Sequence, residues 1–239
     1  MIFTRPAPRP RRQRSEGEKP FWISFADLMT ALMVLLLVAL TVALLAITRE
    51  ISAGEQQKAD RQAAIERFLG ELASASTSFP GVTVRGQVID FGERARFDTN
   101  SHRLNDNQAR LLREFVPKVL ELARRPEGER WLKRILVEGF ADQRGSYLYN
   151  LNLSLQRSER VLCALLAQPR EGIPLDEADR RMVKDLFLVS GASFNALKAS
   201  AEESRRIELR LGFLDLNEAK PAPRLDVVPA DQRCPLDTP

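Results

Sequence analysis

The chain has 239 residues, enough for one medium domain with appendages. Charged residues make up 28% and hydrophobic ones 44%, so bulk composition alone reads as an ordinary soluble protein; the distribution along the chain does not. The formal net charge of +4 raises nucleic-acid binding, but the basic excess is a short Pro/Arg arm beside an apolar run. It has no aromatic interleaving and no nucleic-acid motif, which speaks against that class.

The arm comes first. Arg5, Arg9, Arg11, Arg12, Arg14 and Lys19 are opposed there only by Glu16 and Glu18. Residues 1–19 therefore read as a disordered basic arm. From Leu28 to Ile47 there is no charged residue. A helix from Phe21 to Ile47 would reach about 40 Å, against a hydrocarbon core of about 30 Å. The run exceeds a signal-peptide core, and no clear small-x-small cleavage site follows Ile47 before Arg49, so residues 20–48 read as an uncleaved transmembrane helix. The positive-inside rule places the arm in the cytoplasm and everything after Arg49 in the periplasm. Pro20 suits the first helical turn, and Trp22 an interfacial anchor.

Residues 49–79 read as a helical connector, polar at first. Ile65, Phe68, Leu69 and Leu72 then recur at helical spacing, an apolar face to dock on the domain or on a sister chain. Phe79-Pro80-Gly81 ends it. Residues 80–214 read as a compact α+β domain. Val82, Val84, Val88 and Ile89 with Phe91 suggest a hairpin around Gly86. Asn105 to Leu122 has helical periodicity, Ile135 to Phe140 is a short β-type run, and Leu151 to Leu166 is helical. Ile207, Leu209 and Leu211 alternate with charged residues as in a half-exposed strand. This βαβαβ order suits helices layered on one sheet. Pro169 to about Lys184 reads as a charged insertion, and residues 215–239, with five prolines, as an extended C-terminal tail.

Two stretches carry resemblances. Val137 to Leu166, VEGFADQRGSYLYNLNLSLQRSERVLCALL, resembles the signature of the OmpA-like peptidoglycan-binding domain, with Glu138, Gly139, Asp142, Gly145, Asn150, Leu153, Ser154 and Arg157 in place. ARFDTNSHRLNDNQARLL and SRRIELRL resemble that family's first strand-to-helix passage and last strand. The chain departs from the family at Ser190-Gly191-Ala192-Ser193-Phe194, where a G-x-G followed by Pro is usual, after the charged insertion. The other stretch, PFWISFADLMTALMVLLLV, resembles the membrane signature of MotB-type stator subunits. Within that group its context is most similar to the ZorB family of the Zorya anti-phage defence system.

The resemblances imply chemistry. Peptidoglycan stem peptides that carry meso-diaminopimelate present an ammonium and a carboxylate together. Asp142 is the expected partner of the ammonium. Arg157, expected in the first turns of the following helix, is the expected bidentate partner of the carboxylate. Tyr149, Asn150 and Leu153 would line the same groove. Two readings of Asp142 and Arg157 fit the residues by themselves: a ligand site, or a pair that braces the loop. Asp27, a lone acid in the membrane run with Thr30, Ala31 and Val34 on its face, is the expected ion carrier together with Thr30. A carboxylate snorkelling to the interface is its alternative. The ion is H+ or Na+, and no cofactor, catalytic residue or metal site is expected. The family implies a homodimer inside a pentamer of a MotA-like partner, ZorA, in the inner membrane, and signalling of phage invasion to cytoplasmic effectors. A flagellar-type stator subunit and a passive cell-wall tether are the other readings. His102 lies beside an expected loop with no nucleophile–base pair, which argues against an enzyme. Cys163 and Cys234 both fall on the oxidising side and are expected to form a disulfide that pins the tail, or else to bond between chains.

Overall fold

A computed structural model of the chain describes residues 21–169, 172–221 and 233–237, with backbone only for residues 21–24. The basic arm, Pro20, the Trp22 side chain, two residues of the expected insertion and most of the Pro-rich tail lie outside the described residues.

Helix α1 runs from Phe21 to Ser76 without interruption, so the expected boundary between span and connector is not marked by a break. The chain divides into two compact units, residues 1–56 and 57–239. In the first, the large apolar side chains from Phe25 to Ile51 are exposed. Among the described residues, one helix is long and apolar enough to cross a membrane.

The second unit takes in the C-terminal part of α1. Its strands are β1 (Thr83–Arg85), β2 (Val88–Asp90), β3 (Leu132–Gly139), β4 (Phe187–Gly191) and β5 (Ile207–Phe213). They form one sheet in the order β1-β2-β5-β3-β4. All neighbours are antiparallel except β3 and β4. The helices are α2 (Asp106–Ala123), α3 (Pro126–Trp131), α4 (Tyr147–Leu166), α5 (Glu177–Leu186) and the short α6 (Ala201–Ser204). The hairpin between β1 and β2 turns at Gly86, whose φ of 56° is open to glycine at no steric cost.

Alternation explains why one face of the sheet is covered. Ile135 and Val137 on β3, Ile89 on β2, and Ile207, Leu209 and Leu211 on β5 are buried. Arg210 and Glu138 meet on the other face at 3.0 Å. Leu112, Phe115, Val116, Val119 and Leu120 of α2 and Val161 and Leu165 of α4 complete the core. Helix α2 begins where the sequence lets it. The Asn105 side chain accepts from the Gln108 N–H, and the Gln108 side chain accepts from the Asn105 N–H, a reciprocal cap. Phe68 and Leu72 of α1 belong to the same core, while Ala64 and Ile65 pack with Trp131 and Leu214. The connector's apolar face is therefore docked on the domain.

The supposed insertion after Pro169 contributes structure. Asp176 caps α5 by accepting from the Asp179 N–H, and Val183 and Leu186 are buried. Helix α5 leads directly into β4, which sequence periodicity had not indicated.

Cys163 on α4 and Cys234 are bonded within the chain, with Cα atoms 5.2 Å apart. Arg160, one turn earlier on α4, pairs with Asp237 at 2.7 Å. The bond spans a sequence separation of 71 residues, for which chain-entropy arguments give about 4 kcal/mol. Cys163→Ser in the full chain, unfolded with urea in detergent, should therefore lose about 2–4 kcal/mol of stability. An unchanged midpoint would show that the tail contributes nothing to the fold.

Candidate functional site

The site is built where β3 ends. Gly139 is its last residue, and a Cβ there would stand 2.0 Å from the Ser154 carbonyl oxygen on α4. Gly191, at the end of β4, would likewise place a Cβ 2.5 Å from the Ser154 hydroxyl. Two side-chain-free strand ends thus let α4 lie directly on the sheet. Ser154 uses that closeness: its Oγ accepts from the Ser193 N–H at 3.1 Å. Ser158 donates to the Ser190 carbonyl at 2.9 Å.

The family departure at residues 190–194 is accommodated here. Ser193 takes a φ of 52°, is fully buried, and donates its hydroxyl to the Tyr147 carbonyl at 3.0 Å. Phe194 packs edge-on against the Tyr147 ring.

After Gly139 the chain is fixed from both sides. Phe140 N–H donates to Arg206 O, and Ala141 N–H to Ser193 O. The Arg206 guanidinium lies 3.9 Å from the Phe140 ring centroid and pairs with Glu208 at 2.7 Å. Asp142 then points into a cavity of about 250 Å³. All five sequence-expected residues line it: Asp142, Tyr149, Asn150, Leu153 and Arg157. Thr99, Asn100, Arg144, Gly145 and Arg205 complete the wall. Tyr149 donates its hydroxyl to Asn100, and Asn150 Nδ2 donates to the Arg144 carbonyl at 2.8 Å.

The charges are arranged differently from the expectation. Asp142 does not pair with Arg157, so the bracing alternative in that form is replaced. Its Oδ2 accepts from Arg205 Nη1 at 3.0 Å, and its Oδ1 from the Arg144 backbone N–H at 3.0 Å. Burial opposes the charged carboxylate. The Arg144 N–H, the Arg205 hydrogen bond and the charges of both arginines outweigh it and hold the carboxyl below its ordinary value.

Arg157 lies at the eleventh residue of α4, three turns in rather than near its start. Its side chain has no accessible surface. It donates to the carbonyls of Ser101 at 2.9 Å, Phe140 at 2.6 Å and Asp98 at 3.2 Å. The Phe97 ring centroid lies 5.0 Å from it. Burial first, and the Arg205 charge next, push its pKa down to about 10, so it stays charged at neutral pH. Arg157 is the floor of the cavity and the tie between the 98–101 loop and the end of β3. Three of the five guanidinium N–H groups are used this way.

Sequence reading missed Arg205 and Arg144. The only signal was the doubled arginine before the last strand, in SRRIELRL, and an arginine beside a glycine in the turn. His102, in the same loop, has its pKa lowered by burial and then by the Arg160 charge.

In α1, Thr30 donates its hydroxyl to the main-chain carbonyl of Asp27 at 2.8 Å. That bond keeps Thr30 beside Asp27 on one helix face and commits its proton to the backbone.

A membrane-length helix followed by a one-sheet α+β domain, with a polar cavity at the strand ends, defines the class. No family model matches the chain. It is similar to the Zorya protein ZorB of Escherichia coli O139:H28 (strain E24377A / ETEC), 43% identical over 214 residues, covering 88% of this chain and 87% of that protein. The chain belongs to the ZorB family. Among solved structures, the periplasmic domain of Helicobacter pylori MotB has a TM-score of 0.38 at 15% identity, over 57% of this chain and 80% of that one. The OmpA-like domain of FopA1 from Francisella tularensis subsp. tularensis SCHU S4 has a TM-score of 0.34 at 17% identity, over 56% and 82%.

Proposed function

We propose that this chain is the peptidoglycan-anchored stator subunit of an ion-driven inner-membrane motor acting in anti-phage defence. Its N-terminus is cytoplasmic and its domain periplasmic. Two copies sit within a pentamer of the MotA-like partner ZorA, Asp27 and Thr30 carry H+ or Na+, and the complex passes word of invasion to cytoplasmic effectors. The role is mechanical and conductive, not enzymatic. Membership in the ZorB family supports the motor and defence parts of this reading.

The wall-binding part rests on one observation: a buried, ionised carboxylate, Asp142, lining a cavity that also holds a fixed arginine floor. An ammonium entering there meets an acceptor already desolvated and held in place, the arrangement in which a charge-assisted bond is strongest. Full-length protein in detergent should co-sediment with peptidoglycan sacculi, and Asp142→Asn should lose this while keeping its circular-dichroism spectrum. Equal sedimentation of the two proteins would refute the site. Arg157→Ala is a poor probe, because it strands three carbonyls and empties a buried volume, and so reports on folding.

The pH dependence has a definite sign. Binding requires ionised Asp142, whose folded pKa is depressed, so co-sedimentation should persist as pH falls through the ordinary carboxylate range and fail only below it. The same shift adds stability that is present above the unfolded-state pKa and lost as pH falls through the folded one.

A further inference from the structure

A second cavity, of about 530 Å³, lies between α2 and α4 beside the disulfide. It shares no lining residue with the cavity that holds Asp142. Three arginines from three separate segments line it: Arg103 in the loop before α2, Arg113 on α2 and Arg160 on α4. Its acidic lining residues are two, Asp106 at the start of α2 and Asp237 in the tail.

Arg160 is the most enclosed of these cations whose partners bear on the cavity. Its side chain is 12% exposed, and its Nη1 donates to Asp237 Oδ1 at 2.7 Å. Its Nε is buried and, among the described residues, meets no acceptor. A guanidinium offers N–H groups in a fork that fits two oxygens of one oxyanion. The pairing with Asp237 leaves one prong unmet, and a buried donor without an acceptor weakens the arrangement that strands it. Asp237 itself is 52% exposed and lies three residues beyond Cys234. It can therefore leave Arg160 while the disulfide still holds the tail at the rim. His102, next in the chain to Arg103, senses the local charge. Burial lowers its pKa first, then the charges of Arg160, Arg103 and Arg157, and Asp237 raises it.

We propose that the groove between α2 and α4 is a binding site for a phosphate group, with Asp237 as its internal competitor: the anion replaces the Asp237 carboxylate on Arg160 and engages Nε as well. Once Asp237 has left, three arginines line the groove with Asp106 as the acidic residue among them. That excess of positive charge suits a phosphate, which carries close to two charges at neutral pH, better than a singly charged carboxylate. The groove has room for an ester that carries the group as well as for the free ion.

The test uses the sole histidine as the probe. The untagged full chain in detergent, with isotope-labelled histidine, is titrated with inorganic phosphate, glycerol phosphate or acetate at matched ionic strength, and the His102 resonance is followed by NMR. Phosphate should raise the His102 pKa in a saturable way, because a bound anion offsets the arginine charges, and acetate should not. Glycerol phosphate that binds as phosphate does marks a site open to esters; glycerol phosphate that fails restricts the site to the free ion. Arg160→Gln should abolish the phosphate effect, and Arg103→Gln, a change at an exposed position, should weaken it without touching the fold. Asp237→Asn should bind phosphate about tenfold more tightly, the worth of one charge-assisted bond no longer competed for. A wild type whose His102 responds alike to phosphate and acetate overturns the site, and so does a folded Arg160→Gln or Arg103→Gln variant that binds as wild type does. Unchanged affinity in Asp237→Asn overturns the competitor role.

Discussion

Asp27→Asn should insert and assemble at normal levels, yet reduce ion flux and phage protection to the background of a strain lacking the protein. Between Lys19 and Arg49, Asp27 is the sole charged residue. It sits on a helix whose neighbouring side chains are apolar and exposed. An ionised carboxylate inside a bilayer costs about 2.5–3.5 kcal/mol on insertion scales. In the proposed stator that cost would vanish on protonation, so each cycle of proton or sodium binding would change how favourably the helix packs against its partner. A difference of that size biases a two-state element strongly. Asn preserves shape and most hydrogen bonding but cannot change charge. Asp27→Glu keeps the titrating group about one bond length further out and should retain part of the activity. Flux is read from pH- or sodium-sensitive dyes in vesicles containing this chain with its membrane partner. Undiminished flux by Asp27→Asn in the intact complex would make this chain a passive tether.

The second large effect concerns a glycine. Gly139→Ala should cost about 3 kcal/mol or more, at the upper end of overpacking penalties. The added Cβ would meet the Ser154 backbone oxygen at 2.0 Å and its carbon at 3.0 Å. Neither can swing aside, because both belong to the main chain of α4. Relief requires lifting α4 from β3, which also disturbs the Ser154 bond to Ser193 and the Arg157 bond to Phe140. Gly70→Ala is the matched control. Gly70 lies inside α1 with nothing within 4 Å of an added Cβ, so the change should stabilise by about 0.5–1 kcal/mol through helix propensity. Urea midpoints of the full-length variants decide the matter. A Gly139→Ala variant as stable as wild type would mean that α4 can move freely over the strand ends.

Much of this was legible in the chain itself. Helix α2 announces itself through apolar spacing and its Asn105 cap, and β5 through strict alternation. Helix α4 and the end of β3 are marked by a dense run of motif residues. What escaped has physical reasons. Helix α5 offers few apolar residues to any pattern, and Val183 and Leu186 are its only buried hydrophobic side chains. Strand β4 is short and lies at the sheet edge. Arg205 lies 63 residues from Asp142, and no local periodicity encodes a pairing at that distance. Arg157 lines the cavity, but its partners are main-chain carbonyls, which a sequence does not display.

The burial of Phe68 and Leu72 in the same core as the sheet has a consequence for how the domain can be separated. Helix α1 contributes side chains that this fold needs for closure, although they precede its first strand. A fragment beginning at residue 80, where the sequence suggests a natural start, would leave with its hydrophobic interior open along α2. The severable piece begins near Gln57, where the compact unit begins. A protease that cuts between these two points would not release an intact domain; it would unseat one.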